Sequence, residues 1–352
     1  MLKTPFFDPY KSYYENYQEG PFGAFVTTHD EYRGPSSVLP FGIAAGPLLN
    51  ARFMQAAMMM GFDHVVYKTV RTREKKSNSW PNIVSVDVQG DLTLEQARKG
   101  LTVKEGFPEP LAITNSFGNP CYPVETWQED IAKLVQWAKP RQGQVVSAMI
   151  EGTRWDESYN DKKFLEDWVL AARLMAETKV PVIEANFSCP NEGNLVKTLL
   201  CYDTTSSRRI AEAIKNKIGD TPLILKISHF EDQRELEGFV QELGSVVDGF
   251  AAINTIQAPV YNKEGKQALP DGEWRLKSGI CGSPIKWAGL DMVRRLKALR
   301  EKLSMKYSIV GVGGVMTPAD YQEYRSAGAD IVMSVTGAMW NPHLALQIKE
   351  TL

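Results

Sequence analysis

Metal-binding residues are scarce in this chain. Its four histidines, at 29, 64, 229 and 343, are scattered along the sequence, which argues against a metal centre. The four cysteines, at 121, 189, 201 and 281, include no Cys-x-x-Cys pair, so neither a zinc ribbon nor an iron–sulfur cluster held by this chain alone is expected. No segment approaches the ~20 consecutive apolar residues of a membrane span. Met1 to Phe7 has no basic start followed by an apolar run of about 7–15 residues, so no secretory signal is expected and a reducing cytoplasm is. The net charge of −2 supplies no field for nucleic acid. With 43% hydrophobic residues the composition is that of a packed soluble protein.

What is present early is aromatic. Phe6, Phe7, Tyr10, Tyr13, Tyr14, Tyr17, Phe22 and Phe25 are interrupted by Pro5, Pro9, Gly20, Pro21 and Gly23. We read residues 1–37 as an arm that lays rings against the main domain or a neighbouring subunit. Proline and glycine break the continuous apolar face that a membrane-docking or quinone-docking helix pair needs.

From Val38 onward, apolar runs at Phe41–Ala45, His64–Val70, Val145–Ile150, Val182–Asn186, Leu223–Ile227, Phe250–Thr255, Ser308–Val312 and Ile331–Val335 alternate with helical patterns. Eight strand–helix units imply parallel pairing closed into an α/β (β/α)8 TIM barrel, here over residues 38–352. A doubly wound sheet would carry a glycine fingerprint in its first βα turn. That turn is Ala44-Ala45-Gly46-Pro47, with no G-x-G-x-x-G.

In such a barrel the C-terminal strand ends carry the chemistry. There stand Lys68-Thr69, Ser147 and Glu151, Lys226, Asn254-Thr255 and, after the fourth run, Asn186-Phe187-Ser188-Cys189-Pro190-Asn191. A thiol between two amides can take a proton from a ring whose carbonyl and N–H edges Asn186 and Asn191 hold. A buried packing thiol and a turn asparagine are the plain alternative. Lysine inside an apolar strand is costly without a negative partner, so Lys68 and Lys226 point to an anion at the barrel mouth. Gly313 and Gly314, in the run Gly311-Val312-Gly313-Gly314 at the end of the seventh strand, and Thr336 and Gly337 after the eighth are phosphate candidates. The run Asn115-Ser116-Phe117-Gly118-Asn119-Pro120 is a possible ligand wall, and Arg71 to Lys76 reads as a solvated basic loop. Gln257 to Lys277 reads as a long functional or mobile connection.

In that order the motifs resemble the dihydroorotate dehydrogenase family, flavin enzymes of pyrimidine synthesis, and its class 1 branch in particular, from about Val38 to Pro342. Asn186 to Asn191 is similar to the family's Asn-Leu-Ser-Cys-Pro-Asn, whose cysteine is the base; the quinone-using class 2 has serine there. Asn115-Ser116-Phe117-Gly118 resembles its Asn-Ser-Met-Gly orotate loop. Lys68 matches the lysine of a Thr-Lys-Thr/Ser segment, Lys226 the lysine under the flavin, Asn254-Thr255 an Asn-Ser pair, and Gly311 to Gly314 a Gly-Thr-Gly-Gly phosphate loop. Phe117, Asn119, Cys281, the Thr336-Gly337 order and Glu192 to Leu195 depart from the pattern.

The resemblance implies oxidation of dihydroorotate to orotate with FMN as cofactor. Cys189 would take the proton from C5 while the C6 hydride passes to flavin N5, and Lys226 would favour the anionic reduced ring. Asn115, Asn186, Asn191 and Asn254 would hold the substrate, with Lys68, Phe117, Gly118 and Thr255 beside it. Ala44, Ala45, Gly46, Lys68, Thr69, Asn186, Lys226, Gly282, Gly313, Gly314, Thr336 and Gly337 would contact FMN, and no metal is implied. An ordinary thiol is mostly protonated at neutral pH, so activity should climb toward pH ~8.5. Fumarate would suit a lone class 1 chain as electron acceptor, NAD would need an iron–sulfur partner, and a homodimer is implied. Competing readings are an FMN reductase of uracil-like pyrimidines, as in dihydropyrimidine dehydrogenase, a non-redox phosphate-binding barrel lyase, aldolase or isomerase, and a non-enzymatic scaffold.

Overall fold

The computed structural model describes residues 6–23, 38–141, 143–189 and 198–352. Thirteen strands are found among them. They are β1 (Phe41–Ile43), β2 (His64–Val70), β3 (Ser85–Val86), β4 (Leu101–Lys104), β5 (Ala112–Asn115), β6 (Val145–Ile150) and β7 (Val182–Asn186). After these come β8 (Leu223–Ile227), β9 (Gly249–Ala252), β10 (Ile256–Tyr261), β11 (Lys277–Gly282), β12 (Ser308–Val312) and β13 (Ile331–Ser334).

Eight of these close a parallel barrel in the order β1-β13-β12-β9-β8-β7-β6-β2. Each coincides with one of the eight apolar runs, although the sixth starts one residue earlier and ends three earlier than the run suggests. The (β/α)8 architecture is therefore the observed one. Helices cover the outside with apolar residues at helical spacing, as in Val124–Ala138, where Trp127, Ile131, Leu134 and Val135 are buried.

The barrel separates two cores. Ala44, Val66, Met149, Ile224, Ala251, Val310, Val312 and Met333 fill its interior, whereas alternate strand residues such as Ile183, Ala185, Leu223, Leu225 and Ile227 join the shell under the helices. Side chains alternate along a strand. Lys226, two beyond the interior Ile224, shares its inward side, as Glu151 shares that of Met149. Val66 and Lys68 stand in the same relation, and Glu184 and Asn186 occupy the side opposite Ile183 and Ala185. Strand parity thus delivers five polar side chains to the inward side of the barrel.

A second, smaller closed sheet, β10-β11-β5-β3-β4, stands over that mouth. Sequence reading did not resolve it. The stretch 257–277 is not a plain long connection: its first part extends β10, which pairs antiparallel with β11 from Ile256↔Ile280 to Pro259↔Lys277. Pro259 and the polar Gln257 hide this strand from a periodicity count. β11 in turn pairs with β5, setting Gly279 opposite Asn115 and Gly282 opposite Ala112.

The described part of the arm lies against the barrel. Ser12 caps the helix Tyr13–Glu19 through a reciprocal capping box with Glu15. Phe6, Phe7 and Tyr13 are buried. Phe6 meets Phe53 at 6.0 Å, Phe7 meets Phe117 at 5.7 Å and Tyr17 meets Tyr122 at 4.2 Å between ring centroids. Such edge and tilted pairings follow the ring quadrupole.

Candidate active site

Two overlapping cavities, with empty volumes of ≈ 760 and ≈ 500 Å³, open at the C-terminal ends of the barrel strands beneath the small sheet. They share Ala45, Gly46, Asn115, Lys226, Asn254, Cys281, Val335 and Thr336, so they form one cleft. The first adds Lys68, Thr69, Phe117, Asn186 and Cys189. The second adds Ala44, Thr255, Gly282, Gly313, Gly314 and Gly337. All of the catalytic, substrate and FMN residues implied by the resemblance thus line the cleft except two. Gly118 does not: at φ +77° it makes the turn behind Phe117, where an added Cβ would stand 2.5 Å from Asn78 Oδ1. Asn191 lies outside the described residues.

Cys189 sits where this cleft meets a wider polar cavity lined by Arg98, Tyr202, His229 and Lys277. Its Sγ accepts a hydrogen bond from Asn119 Nδ2 at 3.1 Å. The same nitrogen donates to Glu151 Oε2 at 2.6 Å, and Lys68 Nζ donates to Asn119 Oδ1 at 3.0 Å. Glu151 also accepts from Asn186 Nδ2 at 3.1 Å and pairs with Arg71 at 3.2 Å. Asn254 Nδ2 donates to the carbonyl of Ser188 at 2.9 Å, fixing the backbone next to the thiol. Burial pushes the Cys281 and Cys201 thiols up to about 12, which disfavours their thiolate forms.

Arg71 is a correction to the reading of 71–76 as a solvated loop: it is fully buried and ion-paired with Glu151. Its guanidinium also donates to the carbonyl of Asn119 at 3.2 Å and to Thr153. Composition of a six-residue run could not separate the buried first arginine from the rest. Asn119 was read only as part of a possible ligand wall and Glu151 only as a strand-end residue, and neither was assigned a contact with the thiol. Glu151 had a signal, since it ends a barrel strand on the inward side.

Lys226 carries the opposite kind of signal. It is 3% exposed, and among the described residues its Nζ has no hydrogen-bond partner. Burial lowers its pKa, opposed by the charge of Glu184, whose own carboxyl is raised by burial and whose Oε2 also lacks a partner. An orphaned ammonium at a cleft wall is costly unless a ligand acceptor meets it. Burial likewise pulls Lys68 down to about 8, against the pull of Cys189 and Glu151.

Elsewhere in the cleft the wall is made by Gly313, Gly314 and Gly337. Gly313 and Gly314 have φ of +124° and +66°, and an added Cβ at Gly314 would stand 2.6 Å from Lys286 Cβ. At Gly337 it would stand 2.2 Å from the carbonyl oxygen of Val315. Bare backbone at these turns suits a phosphate, which takes N–H donors. The cleft therefore brings together two buried lysines, a glycine-rich wall and one thiol set among amides.

Comparison with known proteins agrees with this geometry. The family model described as dihydroorotate dehydrogenase matches residues 37–352. A dihydroorotate dehydrogenase of Dictyostelium discoideum is 32% identical over 98% of this chain and 97% of its own length. A dihydroorotate dehydrogenase (quinone) of Thermobifida fusca is 26% identical over 86% of this chain and 72% of its own. The catalytic subunit of a dihydroorotate dehydrogenase B (NAD(+)) of Brachyspira hyodysenteriae is 25% identical over 75% and 78%. With a barrel mouth of this make-up and a match across nearly its whole length, the chain belongs to the dihydroorotate dehydrogenase family of oxidoreductases and is class 1-like within it.

Proposed function

We propose that this protein oxidises dihydroorotate to orotate in pyrimidine biosynthesis, with FMN bound in the cleft. The observation that carries the reading is the convergence of Cys189 with the amides of Asn115, Asn186 and Asn254 and the cations Lys68 and Lys226 on one cavity. FMN fits the residues present: the partnerless Lys226 Nζ suits the polar N1/O2 edge of an isoalloxazine, and the glycine turns at 313–314 and 337 suit its phosphate. When bound, FMN supplies the two-electron acceptor for the C6 hydride.

The chain's own residues do the remainder. Cys189 Sγ takes the proton from C5, while Asn115, Asn186, Asn191 and Asn254 hold the pyrimidine edges and the carboxylate, with Lys68 nearby as the cation. Lys226, whose pKa burial lowers against the opposing charge of Glu184, would stabilise negative charge at the flavin edge when protonated. Phe7 and Phe117 close the apolar side of the cleft and exclude water. From the same resemblance we propose fumarate as acceptor, a homodimer and a cytoplasmic location. No described helix is long and apolar enough to cross a membrane.

The test is anaerobic. Dihydroorotate added to the purified holoprotein should bleach the flavin, and fumarate, NAD or a quinone offered in turn should restore the colour. Cys189→Ser should bind FMN normally yet be reduced far more slowly. Protein that stays yellow with dihydroorotate but is reoxidised by uracil-like pyrimidines after chemical reduction would transfer the activity to those rings. Colourless protein with no flavin would refute the redox reading altogether.

A further inference from the structure

The amide of Asn119 is held at both ends before it reaches the sulfur. Its oxygen accepts from Lys68 Nζ at 3.0 Å, and its nitrogen donates to Glu151 Oε2 at 2.6 Å and to Cys189 Sγ at 3.1 Å. These contacts fix which way the amide faces, because swapping O and N would put two donors against Lys68 and a lone-pair oxygen against the carboxylate. The backbone adds a second constraint. Asn119 is one of four non-glycine residues at positive φ among the described residues, at +46°, next to Gly118 at +77°. Asparagine tolerates that left-handed conformation better than most side chains. The turn aims the amide, and its carbonyl is held in turn by Arg71 at 3.2 Å.

We propose that Asn119 is a positioning residue for Cys189: clamped between Lys68 and Glu151, it fixes the sulfur over the cleft and supplies an N–H that the sulfur accepts most strongly as a thiolate. This rests on the reading of Cys189 as the base. An N–H donor to sulfur favours the charged acceptor form, and a cation on the amide oxygen strengthens the donor at its other end. The charges facing the sulfur from the cleft side are Lys68 and Lys226, with Glu151 neutralised by Arg71. From the wider cavity the titratable groups are Tyr202, His229, Lys277, Glu273 and the exposed pair Arg98–Glu231. The nearest balance is cationic, so removing the Asn119 donor should make the thiolate harder to form.

The clamp can be tested without substrate. Purified holoprotein is treated with iodoacetamide across pH 6–10, and alkylation of the Cys189 peptide is followed by mass spectrometry. Asn119→Asp keeps the shape but replaces the donor with a second carboxylate beside Glu151. Asn119→Gly keeps the left-handed turn and simply removes the amide, which guards against a folding defect in the first variant. Both should move the alkylation midpoint upward by about one pH unit or more and slow alkylation about tenfold at pH 7. The pH profile of flavin reduction by dihydroorotate should move with it. Midpoints equal to the parent's in both variants would overturn the inference. If the shift appears while dihydroorotate fails to bleach even the parent flavin, the clamp stands and the substrate assignment alone falls.

Discussion

Arg275→Met tests whether the small sheet holds the substrate-side loop in place. Arg275 is 1% exposed and sits at the foot of β11. Its guanidinium donates to Ser116 Oγ at 3.0 Å and to the carbonyls of Ser79 at 2.7 Å, Pro81 at 2.8 Å, Ser116 at 3.0 Å and Pro270 at 3.2 Å. Methionine fills similar volume but donates nothing, so several buried carbonyls lose their partner at once. Each orphaned acceptor costs on the order of 1–3 kcal/mol, and the losses overlap because one relaxed loop or one entering water relieves more than one. Asp271, at 3.2 Å and partly exposed, rehydrates at little cost. The expected total is about 3–5 kcal/mol, the usual cost of deleting one member of a buried charged network. At ~2.1 cal/mol/K per residue, a chain of 352 residues has an unfolding entropy of roughly 0.74 kcal/mol/K, so Tm should fall by about 4–7 °C. Ser116 stands between Asn115 and Phe117, both on the cleft wall, so orotate affinity should fall as well. Calorimetry and an orotate titration of the same preparation check both. A Tm within about 1 °C of the parent together with unchanged affinity would refute the clasp.

Three further outcomes are expected. Burial holds Lys68 at about 8, below its unfolded value of ~10.4, so the unfolded chain binds the extra proton between those pH values. Stability from this group therefore rises with pH across that window, whereas affinity for the anion orotate falls above about 8, approaching tenfold per pH unit; isothermal titration in a Cys189→Ser background, with Lys68→Met flattening the slope, checks it. Gly314→Ala places a Cβ 2.6 Å from Lys286 Cβ at φ +66°, which should cost more than ~1 kcal/mol and reduce the flavin absorbance per protein; full flavin occupancy would show that the turn does not cradle the phosphate. Glu184→Gln removes the charge that supports Lys226, so the holoprotein's flavin midpoint potential should become more negative, and an unchanged potential would sever Lys226 from the flavin edge.

Which parts of this molecule were legible in its sequence follows from the range of the interactions involved. The barrel strands were legible because strands buried on both faces read as apolar runs, and a polar residue at their C-terminal end, such as Lys226 or Asn186, stands out against that background. That the glycines at 313, 314 and 337 line the cleft was legible because they follow the seventh and eighth strands, at the barrel's C-terminal face. The small sheet was not, since β3 has two residues and β10 carries Pro259 and Gln257, and such strands exist only through partners far away in the chain.

The same reasoning explains why Arg71 was misjudged and why the contacts of Asn119 were not foreseen. Arg71 resembles its exposed neighbours in composition, and only the arrival of Glu151 from another strand makes its burial affordable by neutralising it. Asn119 looks like turn chemistry, and it is that, at φ +46°. What local sequence does not encode is that the turn projects its amide between Lys68, Glu151 and Cys189, which three different strand ends supply. A strand-end polar residue declares itself by contrast with the apolar strand before it. A residue on a loop has no such background, so its role emerges only when the barrel closes and the facing groups show which of its polar atoms are engaged.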